Sequence, residues 1–494
     1  MKIAVVTSEA VPFSKTGGLA DVAGTLFKEY MGMGLDTFLF VPLYKKTAEQ
    51  FAGVIQDAGM EMDIQIGRVL RKCKVFTLSK NFSKKVYSGN PAVFLIGNDE
   101  FFGRDELYGM PSGDYPDNDQ RFVFFCRSVL EICSRLSLNI DIMHCNDWQT
   151  GLIPLYLKTL YRESPEFKKT MSVITIHNLG YQGLFPSQTM ETAGLSMSLF
   201  NPEGVEFYGK VNFLKAGLIG ADIITTVSKT YAQEILTPEF GFGLDGILRK
   251  RADSIVGILN GIDYTEWDPS TDAFLPRNYN KSDLSGKLSC KKELMGKISL
   301  KSGLLKPLMC FIGRFSAQKG IDILADAIPE LTAQGANIVI IGTGDERYQI
   351  MLSSLQKRFN KSLFLYAGFD EPFANLAYAG SDMFLMPSRY EPCGLGQMIA
   401  MRYGTIPVAR RTGGISDTVE DKKTGFVFAE YSAASFLNSI KEALSAYADK
   451  KAWQKLIKSA MSRDFSWGKS AKMYIEVYKK VLKANNQRNL QPYR

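Results

Sequence analysis

Lys15 stands just before a Gly17-Gly18 pair in the segment TSEAVPFSKTGG, Thr7–Gly18. Glycines let backbone amides approach a ligand closely, and the helix start that follows offers unpaired N–H groups to an anion. The spacing is neither GxGxxG nor a P-loop, so it leaves open whether this turn binds a phosphate or nothing. A second loop, Ile312–Gly320, places Arg314 and Lys319 between an apolar run and a helix. An arginine fork and a lysine point charge suit a diphosphate; the plainer alternative is two solvated surface cations. A third loop, Pro387–Gln397, carries Glu391, followed by Gly394, Leu395 and Gly396. A carboxylate there suits a sugar hydroxyl or a developing positive charge, and the amides after it open another anion-accepting helix start. Otherwise Glu391 is simply solvated.

The two histidines, His144 and His177, each directly follow an apolar run, a placement that favours function over a satisfied structural role. Asp147-Trp148 shortly after His144 offers a carboxylate for sugar hydroxyls and a ring face for the apolar side of a sugar.

Those loops need elements to hold them. Short apolar runs recur: Ile3–Val6, Phe38–Val41, Val93–Ile96, Val173–Ile176 and Ile223–Val227, then Met309–Ile312, Ile338–Ile341, Leu363–Tyr366 and Met383–Met386. Runs apolar on both faces predict parallel strands covered by helices. Helical stripes lie between them, as in Leu19, Val22, Ala23, Leu26, Phe27 and Tyr30. Alternating strand and helix means an α/β chain of βα units and an open doubly wound sheet. The pattern restarts after a polar, weakly periodic stretch from Tyr264 to about Leu305. Two Rossmann-like domains are therefore expected, an N-terminal one over 1–258 and a C-terminal one over 262–469. The amphipathic stretch marked by Met473, Val477 and Val481 predicts a C-terminal helix within 470–494 that returns to the first domain. Ligands of such sheets bind at the carboxyl ends of the strands, where all three loops lie.

Composition narrows the classes. With 494 residues and 45% hydrophobic side chains, the chain can bury two large cores. Its +8 charge is mild for this length, and no aromatics interleave the short basic clusters, among them Arg71-Lys72-Cys73-Lys74; nucleic acid is not expected. No apolar run is long enough to span a membrane, and the N-terminal run is too short for a signal peptide. Seven cysteines without a CxxC pair predict reduced thiols in a cytoplasmic protein, with no metal site.

Seven motifs, in order, carry a resemblance: KTGGLADV at Lys15–Val22, HCNDWQTGL at His144–Leu152, TIHNLGYQGLF at Thr175–Phe185, LNGIDYTEWDP at Leu259–Pro269, GRFSAQKG at Gly313–Gly320, EPCGLGQ at Glu391–Gln397 and RRTGGISDTV at Arg410–Val419. Together they resemble bacterial glycogen synthases and plant starch synthases, glycosyltransferase family 5. The resemblance implies a GT-B fold of two domains facing across a deep cleft, with no metal or other cofactor. It implies retaining transfer of glucose from a nucleotide-glucose, usually ADP-glucose, to the non-reducing end of an α-1,4-glucan such as glycogen. It makes Lys15, Gly17, Gly18 and Asp21 donor-side residues, Asp147 an acceptor-side carboxylate, and His177 and Asn260 sugar contacts. Arg314 and Lys319 become the cations on the leaving diphosphate, and Glu391 the carboxylate beside the donor glucose. Gly396 replaces a common Thr, and Phe369 replaces a Tyr that often flanks the base, which leaves the nucleotide unsettled. No carboxylate pair of the glycosidase kind stands out, so the leaving phosphate oxygen is expected to take the acceptor's proton on the same face, with His177 the weak alternative base. The competing classes are a non-catalytic glucan-binding protein and a transferase with another acceptor.

Overall fold

The computed structural model describes residues 1–82, 87, 92–110, 113–300 and 303–490, without the side chains of 486–490; residues 491–494 of the expected C-terminal segment lie outside that range. The chain forms two compact units: Met1–Val227 with Ala232–Ile258 and Trp467–Arg494, and Leu259–Ser466 with Ser228–Tyr231.

The second unit is built on a six-stranded sheet in the order Leu363–Ala367, Asn337–Gly342, Leu308–Ile312, Met383–Met386, Ile406–Arg410, Phe426–Phe428, all parallel. Leu308, Met309, Cys310 and all six residues of Asn337–Gly342 are buried, as strands covered on both faces require.

The first unit departs from the expected all-parallel sheet. Its order is Ile255–Gly257, Ile223–Thr226, Met171–Ile176, Ile142–Asn146, Lys2–Val6, Asp36–Pro42, Ala92–Gly97, Val69–Leu78, Ile55–Ile66. The last two form a long antiparallel hairpin, and Val69–Leu78 also runs antiparallel to Ala92–Gly97. Residues 61–66 alternate between exposed and buried, so the hairpin keeps one face in water and shows no continuous apolar run. The basic cluster Arg71-Lys72-Cys73-Lys74 sits on it: Cys73 points into the core, Lys72 pairs with Asp63, and Arg71 pairs with Glu100.

A helix the periodicity misses, Ser285–Lys297, occupies the polar stretch of the second unit. Two of its buried positions are lysines. Lys287 Nζ donates to the carbonyls of Ala379 and Tyr403 and to Thr405 Oγ1, and Lys291 Nζ pairs with Asp382 at 2.6 Å. Both carbonyls lie at helix C-termini, where a cation is favoured, so lysine serves as a core residue here.

The terminal helix Trp467–Leu490 completes the core of the first unit. Its buried stripe is Ala471, Tyr474, Ile475, Tyr478 and Val481, while Met473 and Val477 pack only at the margin. Tyr478 hydroxyl bonds Tyr30 hydroxyl at 2.9 Å and His144 Nδ1 at 2.7 Å, and His144 Nε2 meets Thr175 Oγ1 at 2.6 Å. His144 is fully buried and locked by these partners, which makes it a core residue and corrects the functional reading of its position. Tyr478→Ala removes a buried ring and leaves His144 Nδ1 without its partner; it is expected to destabilise the first unit by about 3–5 kcal/mol, read by urea denaturation. Unchanged stability would mean the helix is dispensable to that core.

Candidate active site

In the second unit, the loops after Leu308–Ile312 and Met383–Met386 meet at the carboxyl edge of adjacent strands. They approach backbone to backbone. A Cβ on Gly320, whose φ is +71°, would lie 2.0 Å from the Pro387 carbonyl oxygen, so only glycine permits this contact. Arg389 N–H donates to the Gln318 carbonyl at 2.8 Å across the same seam. The result is an ion pair between the two loops: Lys319 Nζ lies 2.6 Å from Glu391 Oε2, and Ser388 Oγ donates to the same oxygen at 3.0 Å. Glu391 is 5% exposed. Its backbone is fixed from the other side, because a Cβ on Gly413 would sit 1.9 Å from the Glu391 carbonyl, which the Gly414 N–H also reaches at 3.1 Å.

A third loop braces the first. Phe315 N–H donates to the Thr343 carbonyl, and Asp345 N–H donates to the Phe315 carbonyl. The turn Gly342–Asp345 thus supports the loop that carries Arg314 and Lys319. Arg314 is exposed, and so is Phe369, with 71% of its surface open. Leu395 precedes helix Gly396–Arg402 without a side-chain cap, and Gly394 holds a φ of +73° beside the Gln397 side chain. Asn260 is buried with Oδ1 lacking a partner, while its backbone hydrogen-bonds the Cys393 thiol. Burial pushes that thiol up to about 12, so it is inert and serves packing.

The first unit brings together a different group at the ends of strands Ile142–Asn146 and Met171–Ile176. Asp147 has φ +54° and ψ −170°, a conformation glycine ordinarily takes, which costs on the order of 1–3 kcal/mol. Its carboxylate accepts the His177 N–H at 2.7 Å and also a hydrogen bond from the Asn178 backbone. Burial nevertheless pushes the carboxyl up to about 7, with a smaller contribution from the Glu9 charge. Asn146 Nδ2 donates to the Val6 carbonyl, which aims Asn146 Oδ1 at His177 Nε2, 2.9 Å away. The proton therefore sits on His177 Nε2 and leaves Nδ1 as an acceptor. Burial lowers His177 to about 3, with His144 adding to the shift, so the ring stays neutral near pH 7 and is a poor base. Trp148 is not a sugar platform: it is packed edge-on to Phe122 and against Phe185, and a Cβ on Gly183 would touch its ring at 2.4 Å.

Helix Gly18–Gly32 begins with Gly17 as its N-cap, a residue with no capping side chain and open space where a Cβ would stand. Lys15 Nζ pairs with Asp21 Oδ1 at 2.7 Å on that first turn. Sequence reasoning passed over Glu9, which anchors this loop. Glu9 is 3% exposed and accepts the Thr16 N–H, Thr16 Oγ1 at 2.7 Å and the Tyr108 hydroxyl at 2.6 Å. The available signal was a glutamate three residues beyond a buried strand, inside the same TSEA segment.

Known proteins with similar chains can be set beside this geometry. Residues 2–250 match the starch synthase catalytic domain, and residues 297–463 match the glycosyl transferases group 1 domain. The chain is 50% identical to a glycogen synthase of Thermodesulfovibrio yellowstonii over 98% of both chains. It is 44% identical to glycogen synthase 2 of Geobacter metallireducens, covering 99% of this chain and 100% of that one. Among solved structures, the catalytic domain of starch synthase IV from Arabidopsis thaliana, bound to ADP and acarbose, superposes with a TM-score of 0.88 at 32% identity, covering 98% of this chain and 99% of that one. Sucrose-phosphate synthase from Thermosynechococcus elongatus, at TM-score 0.61 and 16% identity over 98% and 99%, shares the GT-B glycosyltransferase fold.

Asp147 yields a prediction with a definite sign. Its folded carboxyl titrates above the unfolded one, so its contribution to stability is complete below the unfolded value near 4 and is lost as pH rises toward 7. Relative to wild type, Asp147→Asn is expected to gain stability across that window, by up to on the order of 4 kcal/mol. The histidines shift both proteins alike and cancel in the difference. Denaturation curves at pH 4.5 and 7 read it; a pH-independent difference would show that Asp147 titrates normally.

Proposed function

The chain belongs to the glycogen and starch synthase family of glycosyltransferases, and on that premise we propose that it elongates an α-1,4-glucan by transferring glucose from ADP-glucose with retention at the anomeric carbon. The observation that carries this reading is the Lys319–Glu391 pair, its carboxylate buried, held between two glycine-seamed loops at the carboxyl edge of a parallel sheet. In this reading, breaking the bond between glucose C1 and the phosphate oxygen places negative charge on the diphosphate and positive charge on the sugar. Lys319 and Arg314 receive the former, and Glu391 faces the latter. Preorganised charges of this kind act where charge develops in the transition state. Lys15 exchanges Asp21 for the donor phosphates, with Gly17 and Gly18 giving the backbone room. Asn260, whose buried Oδ1 lacks a partner, accepts a donor-sugar hydroxyl.

On the acceptor side, Asp147 and His177 orient sugar hydroxyls. A neutral His177 with a pKa near 3 is ill suited to remove the proton of the attacking hydroxyl. That proton therefore passes to the departing phosphate oxygen as the new C1–O bond forms, so the exchange balances without a protein base. Phe369, which is exposed, stacks on the adenine in this reading. No described helix is long and apolar enough to cross a membrane.

Two measurements test this. Lys319→Ala is expected to lower kcat by roughly two to three powers of ten with little change in donor KM; an unchanged kcat removes Lys319 from the mechanism. Incorporation of label from ADP-glucose into glycogen, with UDP-glucose run in parallel, tests donor and acceptor together. Transfer from UDP-glucose alone would keep the chemistry and overturn the nucleotide assignment. No transfer from either, with glucan still bound, would favour a non-catalytic glucan-binding protein.

A further inference from the structure

Asn146 closes the strand Ile142–Asn146, fully buried, one residue before Asp147. A buried amide must satisfy a donor end and an acceptor end, and Asn146 uses the two ends for different purposes. Nδ2 donates to the carbonyl of Val6, the last residue of the neighbouring strand Lys2–Val6, at 3.0 Å. A carbonyl cannot donate, so this contact fixes which end of the amide is which. Oδ1 is thereby turned to His177 Nε2 at 2.9 Å. The backbone of Asn146 has no slack either. Its N–H donates to Thr150 Oγ1 at 2.6 Å, and that hydroxyl donates back to the Asn146 carbonyl at 2.9 Å.

Among the described residues, Asn146 is the hydrogen-bond partner of the His177 ring; Asp147 receives only the backbone N–H of His177. Facing an acceptor that cannot donate, Nε2 keeps the ring proton and Nδ1 keeps its lone pair. His177 is only half-buried, so Nδ1 is left for a ligand. The titratable groups around the ring are Asp147, Glu9, whose charge reaches Asp147, and the buried His144, and none of them bonds Nε2. An amide imposes this tautomer without bringing a charge. A carboxylate in its place would hold the same proton and favour the imidazolium as well. A cationic ring beside a sugar that gains positive charge would oppose the transfer.

We propose that Asn146 is a positioning residue for the transfer: it holds His177 as the neutral Nε2–H tautomer, so that Nδ1 accepts a hydrogen bond from a hydroxyl of the bound sugar. The inference rests on the reading of His177 as a sugar contact. It gives the ends of these two strands a pair of acceptors, His177 Nδ1 and the Asp147 carboxyl, which suits hydroxyls that donate.

The chain has only two histidines, so nitrogen NMR spectra of isotopically labelled protein can be read residue by residue, and His177→Ala assigns them by removing one set of signals. In the wild type near pH 7, His177 is expected to show a protonated Nε2 and an unprotonated Nδ1. Addition of ADP-glucose or maltotriose is expected to move the Nδ1 signal more than the Nε2 signal. Asn146→Leu removes the acceptor at similar size. It is expected to populate the Nδ1–H tautomer and to lower kcat/KM for ADP-glucose about tenfold, yet to change it by less than about twofold in the His177→Ala background. Asn146→Asp keeps the acceptor and is expected to keep the proton on Nε2, while the second ring proton binds at a higher pH than in the wild type. Asn146→Leu also gives up the bond to Val6, so the tautomer and kcat/KM, not stability, are what is read. A wild-type His177 protonated on Nδ1, or no Nδ1 shift with either sugar, overturns the proposal even if the variants fail to fold. An equal loss of kcat/KM with and without the His177 ring also overturns it and makes Asn146 purely structural. If the wild-type chain transfers no glucose, the enzymatic reading fails by itself, and the wild-type spectra still decide what Asn146 does to His177.

Discussion

The contact on which the second unit's site depends is the close approach of two backbones where side chains are absent. Gly320 lies against the Pro387 carbonyl and Gly413 against the Glu391 carbonyl, each at a distance that excludes any Cβ. Only with that seam closed can Lys319 and Glu391 meet at 2.6 Å from loops 72 residues apart. Glu391 is buried enough that its partner must be fixed: a carboxylate left alone there would carry an uncompensated charge. Backbone strain, glycine placement and ionic geometry are one constraint rather than three.

The first unit solves a related problem with hydrogen bonds. Asp147 is held in a glycine-like conformation because Thr175, His177 and Asn178 bond it from the neighbouring strand and its loop. Glu9 fixes Thr16 and, through it, the segment between Lys15 and Gly17. In both cases a buried carboxylate organises backbone amides. The organised loop is thereby presented with little freedom left to lose on binding.

Stability and function share residues in this chain. The terminal helix contributes Tyr478 to the first unit's core, and Tyr478 in turn fixes His144, directly beneath strand residues that lead to Asn146 and Asp147. Lys287 shows the same economy in the second unit, where its buried ammonium caps the carbonyl ends of two helices from inside the core. A neutral His177 follows from the same burial that positions it.

The alternation of apolar runs and amphipathic helices determined the α/β class, and chemistry at strand ends picked out Lys15, Arg314, Lys319, Glu391, Asp147 and His177, because runs apolar on both faces have one structural solution. The hairpin Ile55–Leu78 escaped notice because one of its faces is wet, and helix Ser285–Lys297 because lysines fill part of its buried face. His144 and Trp148 looked functional by position, yet their partners lie far away in sequence, in Tyr478 and Phe185. Tyr108 carries no local signal; its importance exists only where its distant loop meets Glu9. Sequence determines residue types and local periodicity, both of which are short-range. Burial, pKa shifts and the identity of each charge's partner are properties of the packed chain, and only tertiary structure decides them.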